Sequence, residues 1–103
     1  MNITVQTVTP VSGEMMTIST PNPFATETSF NVNVPQNETY TINVYDVLGR
    51  QVKTLHNGVL GKGNHAFVWN GMDNNGTSVN NGMYIIRTEA NGVSTTQNVV
   101  ISR

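Results

Sequence analysis

The chain has 103 residues, enough for one domain with a single core but too few to seal a second. Only 11% of them are charged, against about 25% in an ordinary globular domain. Instead, 15 Asn and 14 Thr supply the polarity, a composition that favours turns and strands over long helices. The net charge of −1 offers no positive field for phosphates, so we expect no nucleic-acid partner.

No membrane-spanning segment is predicted. The longest apolar runs, such as residues 99–101, fall far short of the roughly 20 residues that a spanning helix needs. No basic start followed by an apolar stretch marks a signal peptide, so we expect a mature or truncated N terminus. The absence of Cys excludes disulfides and thiolate metal sites but does not identify the compartment.

The N-terminal part is the least regular. Ile3 and Val5 alternate with polar residues, and Pro10 and Gly13 follow them. We interpret residues 1–14 as a linker or the remnant of a preceding domain that could include one strand. The first strand of the main domain, which covers residues 15–103, is expected near residues 15–19.

Two following segments alternate apolar and polar residues with period two, which predicts half-buried strands. The first ends at Pro35, and the second begins after the turn at residues 35–38. We expect these strands to pair or to lie opposite each other. Their apolar residues are Phe30, Val32, Val34, Tyr40, Ile42 and Val44.

Residues 46–50 predict a tight hairpin, in which Asp46 accepts backbone N–H groups and Gly49 adopts the left-handed conformation. The glycine-rich stretch at residues 58–63 is expected to be irregular and to form a crossover or an edge.

The second half of the chain continues the strand pattern. Trp69, the single Trp, is expected to fill the centre of a small core with its large ring. Residues 83–88 and 93–101 predict two strands joined by a hairpin at Asn91-Gly92. Within the first of them, Tyr84 combines a large ring with a hydroxyl that can reach a loop carbonyl. Together these elements predict an all-β, antiparallel sandwich of about seven strands, with a core that contains Phe30, Val32, Ile42, Val44, Phe67, Trp69, Tyr84 and Ile86.

Several fragments carry a family resemblance through their order and spacing. They are Pro21-Asn22-Pro23-Phe24, residues 44–52 (VYDVLGRQV), Trp69-Asn70-Gly71, residues 73–76 (DNNG) and residues 82–87 (GMYIIR). Together they resemble the type IX secretion C-terminal sorting domain, which is itself similar to the immunoglobulin-like module of the flagellar hook-capping protein. The resemblance covers residues 15–103 and implies an immunoglobulin-like sandwich. Its motif residues here are Pro21, Asn22, Pro23, Asp46, Gly49, Trp69, Gly82 and Tyr84.

The resemblance implies that the domain is a sorting signal for an exported cargo protein. In this family an outer-membrane export translocon reads the domain after the preceding cargo domain has folded in the periplasm. A cell-surface sortase then removes it, which here implies a processing site within residues 9–20 and a cargo at the cell surface or outside the cell. The implied sorting signal is the end of the last strand: Val99, Val100, Ile101, Ser102 and Arg103. Gln97-Asn98 stand where family members often carry a basic pair.

No motif predicts catalysis, a cofactor or a metal site. His56 and His65 lack a second ligand at a usual metal spacing, and no nucleophile elbow surrounds a Ser. Residues 73–76 begin like an acidic calcium loop, but the downstream acidic ligand is missing and a plain turn is favoured. We therefore expect a non-enzymatic domain.

Two alternatives to the sorting function stay open. The first is a structural immunoglobulin-like module of the hook-cap type. The second is a carbohydrate-binding or adhesion module of a secreted enzyme, which would need a line of exposed aromatic residues such as Tyr40 and Tyr45.

Overall fold

The structure is a computed structural model that describes residues 16–103. These residues contain six strands: β1 (Thr28–Val34), β2 (Glu38–Asp46), β3 (Gln51–Leu60), β4 (Gly63–Trp69), β5 (Gly82–Ala90) and β6 (Val93–Ile101). β1 and β4 form a two-stranded sheet, and the other four form a sheet in the order β3-β2-β5-β6, with every ladder antiparallel. The predicted all-β, immunoglobulin-like sandwich is confirmed. The prediction for residues 1–14 lies outside the described residues.

The alternating sequence pattern explains how the two sheets face each other. β1 buries every second residue, and the alternate residues face away from the core. β2 buries Tyr40, Ile42 and Val44 in the same way, but it pairs with β3 and β5 rather than with β1. β1 and β2 therefore belong to different sheets.

The strand expected near residues 15–19 is the main difference from the predicted fold. The described part of this segment makes only two isolated bridges to the outer edge of β1, Met16 to Val32 and Thr20 to Ser29. Between them a side chain replaces the backbone acceptor, because the Asn31 N–H donates to Thr17 Oγ1 at 2.9 Å. Pro21 follows and cannot donate a ladder hydrogen bond. The segment therefore borders β1 without becoming a regular strand.

The glycine-rich stretch is more regular than expected. β3 runs without a break to Leu60, and only Gly61 and Lys62 separate it from β4. Its pairing with β2 shifts register twice, and Leu60 is its single buried residue. β3 is thus a continuous edge strand of the larger sheet.

The core lies between the two sheets. Of the eight core residues predicted above, seven are buried, whereas Phe67 is half-buried and packs against the edge of the cluster. Met16, Phe24, Leu60, Val99 and Ile101 add to the buried cluster. Within residues 16–103, no helix has the length and apolar character to cross a membrane.

Candidate functional site

The Pro-Asn-Pro-Phe segment runs along the outer edge of β6. Pro21 and Pro23 are exposed. The side-chain amide of Asn22, between them, makes the hydrogen bonds that the backbone of a neighbouring strand would make. Asn22 Nδ2 donates to the Asn98 carbonyl at 3.0 Å, and Asn22 Oδ1 accepts the Val100 N–H at 2.9 Å. A side chain thus satisfies edge groups of β6 that a neighbouring strand would otherwise bind.

Phe24 completes this closure with its own backbone. Its N–H donates to the Val100 carbonyl, and its carbonyl accepts the Ser102 N–H, both at 2.9 Å, which makes a parallel bridge to Ile101. Its ring is 2% exposed and meets Trp69 edge to face at a centroid distance of 5.7 Å. The C-terminal half of the β6 edge is therefore already paired within the domain.

Trp69 is the centre of an aromatic cluster. It is fully buried, and its Nε1 donates to the Met72 carbonyl at 2.9 Å. Tyr84 meets it edge to face at 5.2 Å and donates its hydroxyl to the Asn80 carbonyl at 2.7 Å. Burial, and then the nearby Asp46 carboxylate, raise the pKa of Tyr84 above its ordinary value. The cluster packs the core and anchors the loop between β4 and β5.

Arg103 has a structural contact that sequence patterns did not indicate. Its guanidinium donates to the Val79 carbonyl at 2.7 Å and to the Gly71 carbonyl at 3.2 Å. Gly71 has φ of 75°, and a Cβ built on it would lie 2.5 Å from the guanidinium. The positive φ favours glycine at this position, and a side chain there would displace the flexible guanidinium. Because the two residues lie far apart in the sequence, no local pattern could have predicted the contact.

The residues of the implied sorting signal differ in accessibility. Val99 and Ile101 belong to the core, Val100 is half-buried, and Ser102 and Arg103 are exposed. A receptor could contact the two buried side chains only after they left the core. Their role as a signal stays a prediction.

The turn between β2 and β3 is organised by one carboxylate. Asp46 Oδ1 accepts the N–H groups of Leu48 and Arg50 at 2.9 and 3.0 Å, and Oδ2 accepts from Arg50 Nε at 2.8 Å. These hydrogen bonds lower the pKa of Asp46, and the one from the Arg50 N–H contributes most. Burial acts in the opposite direction but is outweighed. Gly49 is left-handed, with φ of 84°. The result is a tight turn whose tip exposes Val47 and Leu48.

Gly82, the remaining motif residue, is the first residue of β5. It has φ of 143° and is exposed. The chain turns there from the β4–β5 loop into the strand that carries Tyr84.

The candidate calcium loop is closed by its own hydrogen bonds. Asp73 Oδ1 accepts the N–H groups of Asn75 and Thr77 at 2.9 and 3.0 Å. In the described part of the chain, no three His, Cys, Asp or Glu side chains come close enough to hold a metal ion.

The two histidines make local contacts. His56 Nε2 lies 3.1 Å from the Gly58 carbonyl, and His65 Nε2 lies 2.6 Å from the Gly61 carbonyl. Because a carbonyl only accepts hydrogen bonds, each Nε2 carries the proton and donates. His56 therefore contacts the backbone within β3, and His65 contacts the backbone at the β3–β4 turn.

The two aromatic residues considered for a sugar platform do not form one. Tyr40 is 3% exposed and belongs to the core. Tyr45 is half-buried beside Asn43, whose Nδ2 lies 3.4 Å from the tyrosine hydroxyl. These positions offer no line of exposed rings.

Solved structures with a similar fold include the two that follow. Dimeric latent PorU from Porphyromonas gingivalis superimposes with a TM-score of 0.66 and 22% identity, over 82% of this chain and 9% of that chain. FlgD from Pseudomonas aeruginosa superimposes with a TM-score of 0.56 and 21% identity, over 84% of this chain and 72% of that chain. At these identities the similarity establishes the fold alone.

Sequence comparison identifies the family. The basal-body rod modification proteins FlgD of Salmonella typhimurium and Salmonella typhi are each 42% identical over 67 residues, which is 63% of this chain. The chain spans 29% of the length of these relatives. The family model for the FlgD Ig-like domain matches residues 17–93, a range that includes Phe24, Asp46, Trp69 and Tyr84. The chain belongs to the FlgD Ig-like domain family.

Proposed function

We propose that this domain is a non-enzymatic structural module of an exported bacterial protein, comparable to the immunoglobulin-like part of FlgD. The observation that carries the proposal is the family match over residues 17–93, together with the 42% identity to the Salmonella proteins. The aromatic cluster, the Asp46 turn and the Asn22 contacts all serve the sandwich itself. We expect such a module to contribute contact surfaces to a larger assembly.

Domain replacement in Salmonella typhimurium tests this proposal. The immunoglobulin-like segment of its FlgD is exchanged for residues 16–103, and spreading in soft agar and hook assembly are measured. We expect partial motility, well above that of a strain in which the segment is deleted. The matched control is the same chimera with Trp69→Ala, which should lose motility because its core is broken. A chimera that accumulates normally but has no more motility than the deletion strain would contradict the structural function.

A second proposal is the type IX sorting signal, with an outer-membrane translocon and a cell-surface sortase as partners. Its support is the Pro-Asn-Pro-Phe motif, in which Asn22 and Phe24 bind the last strand at Val100 and Ser102, a contact that we call the seam. A small fold within a much larger chain, as in PorU, is compatible with it. Under this proposal the receptor reads the surface that the seam presents.

The burial of Val99 and Ile101 determines how the sorting proposal is tested. Deleting residues 98–103 would remove core side chains and unfold the domain. A better variant combines Val100→Ser with Ser102→Glu, which changes the surface and keeps the core. In a host with type IX export, a periplasmic reporter fused to residues 1–103 should reach the surface, and the double variant should stay in the periplasm. Equal delivery of the two fusions, or delivery of neither, would contradict sorting.

A further inference from the structure

On one long side of the sandwich, the smaller sheet ends at β4, which has no further partner strand within residues 16–103. On the other side, residues 16–20 contact β1 and residues 22–24 contact β6, so both sheets end together there. On the first side β3 borders β4, because the His56 ring of β3 meets the Phe67 ring of β4 at a centroid distance of 5.7 Å. A groove of about 460 Å³ lies between the two edges, lined by Glu27, Lys53, Thr54, Leu55, Val68, Trp69 and Asn70.

The register of β1 determines which backbone groups of β4 face this groove. Ser29 exchanges two hydrogen bonds with Thr20 on the outer edge of β1, and the Asn31 carbonyl accepts the Thr17 N–H there. Ser29 and Asn31 therefore point away from β4. In an antiparallel ladder their partners are non-hydrogen-bonded positions, whose own N–H and C=O groups point away from β1. Those partners are Val68 and Ala66, and Asn64 continues the alternation.

Within residues 16–103, the β4 edge lacks two common protections against strand pairing. Residues 63–69 contain neither a charged residue nor Pro, which are common edge-blocking devices. Along the first half of β3, by contrast, the Asn74 N–H donates to the Val52 carbonyl and Asn74 Oδ1 accepts the Thr54 N–H. Within residues 16–103 no comparable contact reaches the outward groups of Ala66 or Val68.

The position of β3 beside the β4 edge favours a single extended peptide as the occupant of the groove. A strand added to β4 would lie about 4.8 Å from it, within the groove that β3 borders. A second sandwich that paired through its own β4 would bring its larger sheet into the space that β3 occupies. A single added strand brings no second sheet with it and therefore avoids this overlap. Its inward side chains would cover Leu55 and Phe67, which are half-buried at this edge.

The charges at the groove indicate the chemistry of that peptide. Lys53 lines the groove, and Lys62 precedes β4 at its other end. Arg50 and Arg87 are ion-paired within the domain, whereas neither lysine forms a salt bridge in the described part of the chain. Glu27 lies at the Trp69 end, near Lys53. Glu38 lies near the Lys62 end, opposite Leu60, but it is half-buried whereas Lys62 is exposed. An acidic residue in the peptide would therefore be favoured beside Lys62.

We propose that β4 accepts an extended segment of a partner protein by strand addition, with alternating apolar residues and an acidic residue beside Lys62. Main-chain hydrogen bonds to Asn64, Ala66 and Val68 supply the affinity, and the inward apolar residues supply the specificity. This inference goes beyond the structural function proposed above and does not depend on it.

A peptide selection with matched variants tests the proposal. A phage library of random linear dodecapeptides is selected on the full chain, and the affinities of the recovered peptides are compared with those for Ala66→Pro and Ala66→Ser. Proline removes an outward N–H without breaking the ladder to β1, whereas serine keeps it. We expect acidic peptides with alternating apolar residues, whose affinity for Ala66→Pro falls about tenfold or more and for Ala66→Ser is unchanged. Near-ultraviolet circular dichroism of Trp69 checks that both variants are folded.

A second variant keeps the test informative if Ala66→Pro unfolds. Lys62→Glu changes only an exposed turn residue and should lower the affinity about threefold or more, with Lys62→Gln between it and the wild type. Failure to recover peptides, or peptides that bind all variants equally, would overturn the proposal. So would a β4-dependent dimer in sedimentation, because the occupant would then be a second copy. Protection of the β4 amides by residues 1–15 of the same chain would also overturn it.

Discussion

The two long sides of this sandwich show two ways of ending a sheet. On the closed side, residues 16–24 contact β1 first and then β6, and they use the side chains of Thr17 and Asn22 where a regular strand would use backbone. On the open side, the edge of β4 is uncharged and borders β3 across a groove. An irregular segment can therefore close two sheets at once, and the stability of this domain should depend unequally on its two sides.

The largest expected effect lies at Trp69, on which Phe24 of the closed side packs. Trp69→Ala removes a fully buried ring and its hydrogen bond to the Met72 carbonyl. We expect the free energy of unfolding to fall by about 3 to 5 kcal/mol, a large share of the 5 to 15 typical of a domain. Urea denaturation measures it. A midpoint equal to that of the wild type would show that the ring does not support the core.

Two phenylalanines compare the sides directly. Phe24 is 2% exposed on the closed side, and Phe67 is half-buried at the open edge. Phe24→Ala should cost about 3 to 5 kcal/mol of unfolding free energy, and Phe67→Ala about half as much, because part of its ring already contacts water. Thermal unfolding of both variants under the same conditions checks the difference. Equal losses would remove the energetic distinction between the sides.

Two exposed asparagines provide a finer comparison. Asn22→Ala removes two hydrogen bonds to the β6 edge, whereas Asn64→Ala changes the outer face of β4. The first should cost about 1 to 2 kcal/mol and the second about 0.5 or less. Hydrogen exchange gives an independent measurement, because the Val100 amide should exchange faster only in Asn22→Ala. Slow exchange at Val100 in that variant would mean that the Asn22 side chain does not protect it.

The smallest expected effect concerns the turn that leads from β2 into the open-side strand β3. The folded state lowers the pKa of Asp46, so the unfolded chain binds the proton more readily. The stabilisation is therefore complete above the ordinary pKa of about 4 and is lost as the pH falls through the lower folded value. Asp46→Asn should unfold at lower urea concentration than wild type at neutral pH, and the gap should close in acid. A gap independent of pH would contradict this assignment.

The strands and most of the core could be predicted from the sequence, because period-two alternation reports directly which residues face inward. Phe30, Val32, Ile42 and Val44 follow from that pattern alone. The closed side could not be predicted in the same way. Its contacts join residues nearly eighty positions apart, such as Asn22 with Val100, and they use amide side chains that have no periodicity.

The free outer edge of β4 could not be predicted from the sequence pattern either. Whether a strand has one neighbour or two depends on the order of strands in the sheet, which alternation does not specify. The glycines at residues 58–63 suggested irregular chain, although β3 accommodates Gly58 opposite Tyr40. Arg103 lay in the implied sorting signal, but its guanidinium contact with Gly71 follows from the three-dimensional course of the chain.

The parallel bridge between Phe24 and Ile101 also has a mechanical consequence. If the described domain is pulled apart from residue 16 and residue 103, its first and last segments slide past each other in opposite directions. The two backbone hydrogen bonds of Phe24 and the two of the Asn22 side chain would then bear the load together, in shear, rather than opening one after another. A domain connected in this way resists extension along its length better than peeling from one end, a useful property in a part that must hold under tension.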